Sequence, residues 1–421
     1  VETFRLDQGL HQTVLPNGLT ILTELLPGVR SVAAGVWVRA ASAHEPRGKM
    51  GVSHLLEHMV FKGTERRTAR QLALELETRG GTLDAYTSRD HTNYQAHVLD
   101  EDLPRALDVL TDLVRRPLLR EEDLALERNV VLEEIATVED TPDDLVHELF
   151  HDRLWPDHPY GYSILGTRES VGRLSAADLQ AVHGGGYYPA NCLIAVAGRV
   201  DHEQVLSLAE REGWFAGACT VQPRPPVEAR PARRGGEHRV ARDTAQVHLV
   251  FGSDTFPYRD SRRFALSIIT NVFGGGMSSR LFQRVREELG LAYAVYAYQQ
   301  FLQSSGVAGV YVGTQPATAD QAEDTIRAEY ARLAREGLSE EDLISGRQQL
   351  RGQVMLSLES PVSRMIRLAT IFMHGQPYRP LDTILTEISS VSRDDVAALA
   401  AEFFAPARQT VVRLGPETGP G

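Results

Sequence analysis

Two periodicities alternate along the chain and predict its elements. Between residues 9 and 41 short β-branched runs, His11–Leu15, Leu19–Leu25 and Val32–Val38, surround a Pro16-Asn17-Gly18 turn and predict a strand meander. From Val52 to Phe61 the apolar spacing becomes helical, ending at Gly63, and a second helix is predicted from about Ala69 to Thr78, closed by Gly80-Gly81. Alternation returns from Thr82 to Val98, predicting paired strands. Two longer amphipathic helices come next, at about Asp102–Arg115 and Glu121–Thr137.

The second half repeats the first. Glu121-Glu122-Asp123-Leu124, Glu127-Arg128, Glu134 and Thr141-Pro142 match Glu340-Glu341-Asp342-Leu343, Gly346-Arg347, Gln353 and Ser360-Pro361 at a constant offset of 219, from Glu121 to Glu340. Further on, Ala177-Asp178-Leu179 and Tyr187-Tyr188 answer Asp394-Asp395-Val396 and Phe403-Phe404. These matches imply an internal duplication of about 200 residues, one fold used twice. Between the copies, Val221–Gly236 is rich in proline, arginine and glycine and reads as a linker. The predicted fold is α+β: two homologous domains, 1–217 and 237–421, joined by 218–236, each a mostly antiparallel sheet packed with helices.

Composition narrows the partners. A chain of 421 residues, 42% apolar and 24% charged, is ordinary globular protein with room for two domains. The net charge of −12 argues against nucleic acid and mildly favours basic or extended peptides. The cysteines, Cys192 and Cys219, lack metal-type spacing and imply no disulfide framework, so a reducing, cytoplasmic location is expected. No apolar run is long enough to span a bilayer and no signal-like segment opens the chain, so no membrane is expected; Val1 in place of methionine leaves room for an upstream piece.

The candidate chemistry lies in His54-Leu55-Leu56-Glu57-His58. On a helix, two histidines four apart project from one face a turn apart, with Glu57 beside them. Two neutral imidazoles, a carboxylate from elsewhere and an open position for water are the ligand set of a hydrolytic zinc site, with Glu57 as general base. The order His-x-x-Glu-His is the inverted form of the zinc-peptidase helix. Downstream, Glu127 and Glu134 are seven apart on an amphipathic run, so both carboxylates share one helical face. A rival, His147-Glu148-Leu149-Phe150-His151, has the uninverted order, but Pro156 and Pro159 interrupt the stretch after it; His147 and His151 are expected on a helix surface or interface.

These residues, with Gly51-Val52-Ser53, Phe61-Lys62-Gly63-Thr64 and Leu132-Glu133-Glu134-Ile135 around them, resemble the signature of the pitrilysin and insulinase family of zinc peptidases, which includes the mitochondrial processing peptidases. The resemblance covers nearly the whole chain. It implies one Zn2+ per chain on His54, His58 and Glu134, Glu57 as base, and Glu127 as a carboxylate behind the ligands. It also implies that the strand region Asp84–Tyr94 receives a peptide substrate as an added strand, with Asp84 where the family usually has Asn. In the second half, Gly274-Gly275-Gly276-Met277-Ser278-Ser279 leads into a predicted helix, Arg280–Leu289. Bare, that glycine run suggests phosphate binding, but it lacks the P-loop pattern and reads as a tight turn. Arg286 and Tyr293 resemble the pair that the family brings to the metal site from its second half, to hold the substrate backbone and the oxyanion.

The expected function is therefore a zinc endopeptidase for unfolded peptides or flexible segments, working in the chamber of a homodimer in which Arg286 and Tyr293 complete the partner's site. A dedicated peptidase for leader or precursor peptides is an alternative within enzymes. A scaffold or assembly subunit of the same fold is the alternative outside them, set against the intact ligand set.

Overall fold

The computed structural model describes residues 1–217, 222–228 and 235–416; the expected linker, 218–236, lies mostly outside them, as does Cys219. The first compact unit comprises Val1–Ile135, Ser163–Pro226 and Leu356–Tyr378. Its seven strands are β1 (Glu2–Asp7), β2 (Leu10–Val14), β3 (Thr20–Leu25), β4 (Ser31–Val38), β5 (Thr82–Thr87), β6 (Thr92–Leu99) and β7 (Cys192–Gly198), in the order β1-β2-β3-β7-β4-β6-β5. Every neighbouring pair is antiparallel except β3 and β7. β1, which the pattern did not announce, pairs only with β2 at one edge, and β5 forms the other.

Strand alternation gives the sheet two apolar faces. Val32, Val36, Tyr94, Ala96, Ile194 and Val196 join one core with the helices Val52–Val60 and Leu103–Arg115. Ala33, Trp37, Leu193, Ala195 and Ala197 point the other way and meet Met365, Leu368, Ala369 and Met373 of the helix Pro361–Met373.

The second unit comprises Ala136–Tyr162, Val227–Met355 and Arg379–Gly421. Its strands β8 (Gly236–Ala241), β9 (Val247–Thr255), β10 (Ala292–Phe301), β11 (Gly306–Thr314) and β12 (Thr410–Gly415) are ordered β10-β11-β9-β12-β8. The order and directions repeat β5-β6-β4-β7-β3, down to a single parallel pair, β8 with β12. The duplication is thus a repeated topology, and the fold is α+β with two mostly antiparallel sheets.

The units do not follow chain order. The helix Pro142–Leu154, from the first half, packs on β9 and β12 of the second unit. Its equivalent in the duplication, Pro361–Met373, packs on β3, β4 and β7 of the first. Each half supplies the helix that covers the free face of the other half's sheet. No helix among the described residues is long and apolar enough to cross a membrane.

Candidate metal centre

The motif helix, Val52–Val60, is anchored by Leu55, Leu56, Met59 and Val60, which are buried in the first unit's core. It starts at Gly51, whose φ is +87° and where a Cβ would lie 2.4 Å from the Leu165 carbonyl oxygen. Only glycine fits. Gly51 brings no capping side chain, and Glu45 fills the vacancy: its two oxygens accept from the backbone N–H of Gly51 at 2.8 Å and of Ser53 at 2.7 Å.

The second contributor is the helix Glu121–Asp140, whose buried stripe is Leu124, Glu127, Val131 and Ile135. A carboxylate in an apolar stripe needs partners. Glu127 has two: its Oε2 is 3.2 Å from His58 Nδ1 and its Oε1 is 2.5 Å from Lys62 Nζ. The same helix turns Glu134 toward both imidazoles, with its Oε2 3.6 Å from His54 Nε2 and 3.7 Å from His58 Nε2.

Those two separations suit a shared ion. They are too long for hydrogen bonds. Donors about 2.1 Å from a tetrahedral zinc stand roughly 3.4 Å apart, so the three atoms converge on a gap of ionic size. One ligand atom from each of His54, His58 and Glu134 lies within 4.8 Å of the others, the only such group of three or more among the described residues. Burial, with the neighbouring His58, pushes His54 down to about 4, which keeps its imidazole neutral as a metal ligand requires. His54 Nδ1 is buried without a hydrogen-bond partner among the described residues, so His58 is the imidazole with the built support.

Glu57 is held by a residue the motif did not reveal. Its Oε2 accepts from the Thr87 hydroxyl, at the end of β5, at 2.6 Å. Burial raises the Glu57 pKa, the Glu134 charge adds to that, and the Thr87 hydrogen bond and His58 oppose it. Glu45, Lys62 and Thr87 were not marked as site residues by sequence reasoning.

Residues 20–168 match the family Insulinase (Peptidase family M16), and 173–350 match Peptidase M16 inactive domain. A relative in Streptomyces coelicolor, named an uncharacterized zinc protease, is 36% identical over 97% of this chain and 90% of its own. Another of the same description, in Bacillus subtilis, is 38% identical over 92% and 94%. The chain belongs to the insulinase family, peptidase family M16. A solved protease from Helicobacter pylori has the same fold, with TM-score 0.89 and 21% identity over 97% of this chain and 99% of that one.

The second insulinase-type unit keeps the frame without the ligands. The equivalent of the motif helix is Arg263–Gly274, which contains no His, Cys, Asp or Glu. Asn271 Nδ2 donates to Gln353 Oε1 at 2.9 Å, so the residue that answers Glu134 is an amide held by an amide. Gly274 supports the tight-turn reading, because a Cβ there would lie 2.4 Å from the Ala297 backbone N.

Arg286 lies on a π-helical segment, Phe282–Glu288, where an ordinary helix was expected. Its Nη1 donates to the Tyr293 carbonyl at 3.1 Å, and its guanidinium stacks 4.4 Å from the Tyr293 ring. Tyr293 is 78% exposed, so the pair is preformed and presented to solvent. The structure thus groups His54, Glu57, His58, Glu127 and Glu134 in the first unit, and Arg286 with Tyr293 in the second.

The rival histidines join no group of three metal-ligand residues among the described residues. His151 Nδ1 hydrogen-bonds the His147 carbonyl at 2.8 Å, and His151 is buried rather than on a surface. His147 Nε2 meets the Tyr296 hydroxyl at 3.1 Å. His91 sits in the β5–β6 turn 3.2 Å from the Tyr86 hydroxyl, where burial lowers its pKa to about 4.

Proposed function

We propose that this chain is a zinc-dependent endopeptidase for unfolded peptides or flexible polypeptide segments, with one zinc ion per chain on His54, His58 and Glu134. The convergence of two Nε2 atoms and one carboxylate oxygen on a gap of ionic size, with Glu57 beside it, carries the reading. The names of the relatives agree with it.

When bound, zinc supplies an acidified water and polarises the scissile carbonyl. The Glu57 carboxylate takes a proton from that water and delivers it to the leaving amine. Thr87 engages one Glu57 oxygen, which leaves the other for the proton transfer. Glu127 keeps the His58 proton on Nδ1 and leaves Nε2 free to bind metal. Among the described residues β5 is hydrogen-bonded on one side only, which suits an extended peptide added as the next strand. Such pairing favours unfolded segments over compact proteins.

The reading includes a homodimer in which Arg286 and Tyr293 of one protomer complete the metal site of its partner. There Tyr293 donates to the oxyanion while Arg286 holds the substrate backbone. The preformed stack and the exposure of Tyr293 support this. A cytoplasmic location belongs to the same reading, in keeping with the free, buried Cys192 thiol.

The test is Glu57→Gln. The variant should keep about one zinc per chain and lose cleavage of an unfolded peptide by several orders of magnitude. Undiminished cleavage would end the proposal.

A further inference from the structure

We propose that Glu45 is a positioning residue of the metal centre: its carboxylate stands in for a cap side chain, locks the first turn of the motif helix, and so fixes the His54 imidazole. The inference rests on the zinc reading above only for the identity of the metal.

His54 occupies the third position of a helix of nine residues, Val52–Val60. That is the turn whose N–H groups lack partners within the helix, and the turn that frays first. A metal ligand placed there inherits the looseness unless something holds the turn. The ordinary remedy is Ser, Thr, Asp or Asn at the cap. It is closed to this chain, because Gly51 has φ +87° and no space for a Cβ. Glu45, six residues upstream, replaces it.

The geometry of the replacement is specific. Each carboxylate oxygen takes one backbone donor, Gly51 N–H at 2.8 Å and Ser53 N–H at 2.7 Å. The side chain is only 6% exposed, and among the described residues no Lys, Arg or His forms an ion pair with it. Its compensation for burial is the open N-terminal end of the helix itself. A buried carboxylate without an opposite charge is an expensive way to end an ordinary helix. It is a rational way to hold one whose next residue, after Ser53, must point at an ion.

The experiment compares the full chain with Glu45→Gln and Glu45→Ala, measuring zinc affinity by competition with a chelator and, separately, the melting temperature of the metal-free protein. Glu45→Gln keeps the shape but turns an amide NH2 toward one of the two N–H donors. It should bind zinc about tenfold or more weakly, and Glu45→Ala more weakly still, as for other groups that orient ligands. Zinc affinity within twofold of the unaltered chain, with only the melting temperature lowered, overturns the proposal. Hydrogen exchange on the unaltered, metal-free chain requires no variant to fold. The Gly51 and Ser53 amides should exchange as slowly as those of Leu55 and Leu56, and exchange at the rate of open amides overturns the proposal. Slow amides in a chain that takes up no zinc count against the zinc reading, not against the hold of Glu45 on the helix.

Discussion

The Glu127 carboxylate bridges two groups: His58 Nδ1 lies 3.2 Å from one oxygen and Lys62 Nζ 2.5 Å from the other. One end of the bridge orients an imidazole and the other satisfies a buried charge. Glu127→Ala removes both functions, and zinc affinity should fall about 10–100-fold. Chelator competition measures it, and an unchanged affinity would remove Glu127 from the metal centre.

Thr87 donates to Glu57 at 2.6 Å from the end of β5. Thr87→Val keeps the β-branched shape and deletes the donor. The expected result is a loss in kcat of about tenfold, in the range of a misplaced general base, with zinc affinity unchanged. A variant with normal kcat would show that Glu57 finds its position unaided.

Glu45 gives the fold a pH dependence with a definite sign. Burial raises its pKa from 4.5 to about 7, against the hydrogen bonds from Ser53 and Gly51. A carboxyl whose folded value is raised contributes stability at pH below its unfolded value and loses it as pH rises through the folded value. Between pH 4.5 and 8 the unaltered, metal-free chain should lose about 3 kcal/mol relative to Glu45→Gln. Denaturation of both at several pH values measures the difference, and a flat difference would mean that the carboxyl titrates normally.

The exchanged helices predict a distant effect. Leu368 belongs to the second sequence half but is fully buried against the first unit's sheet with Trp37 and Leu193. Leu368→Ala should cost about 2–5 kcal/mol and loosen the amides of β3 and β7. A cost under about 1 kcal/mol would contradict the packing.

Much of this was legible in the sequence, and the gaps have physical causes. The period of Val52–Phe61 and the four-residue step from His54 to His58 fixed the motif helix, because both come from helix geometry alone. The seven-residue step put Glu127 and Glu134 on one helical face, and the family resemblance chose Glu134 between them. Glu45, Lys62 and Thr87 were not: each reaches the site through loop closure or strand pairing, which no periodicity encodes. The destination of Pro361–Met373 was hidden for a related reason. Its apolar stripe says that a face is buried, not which of two similar sheets buries it. The π-helical segment bearing Arg286 also escaped, since its residues satisfy an ordinary helical pattern equally well.

The most direct measurement is zinc-edge anomalous diffraction from crystals of the zinc-loaded chain. The predicted result is one peak per chain about 2.0–2.2 Å from His54 Nε2, His58 Nε2 and a Glu134 carboxylate oxygen. A peak bound elsewhere, or zinc-loaded crystals with no density between those three atoms, would contradict the account.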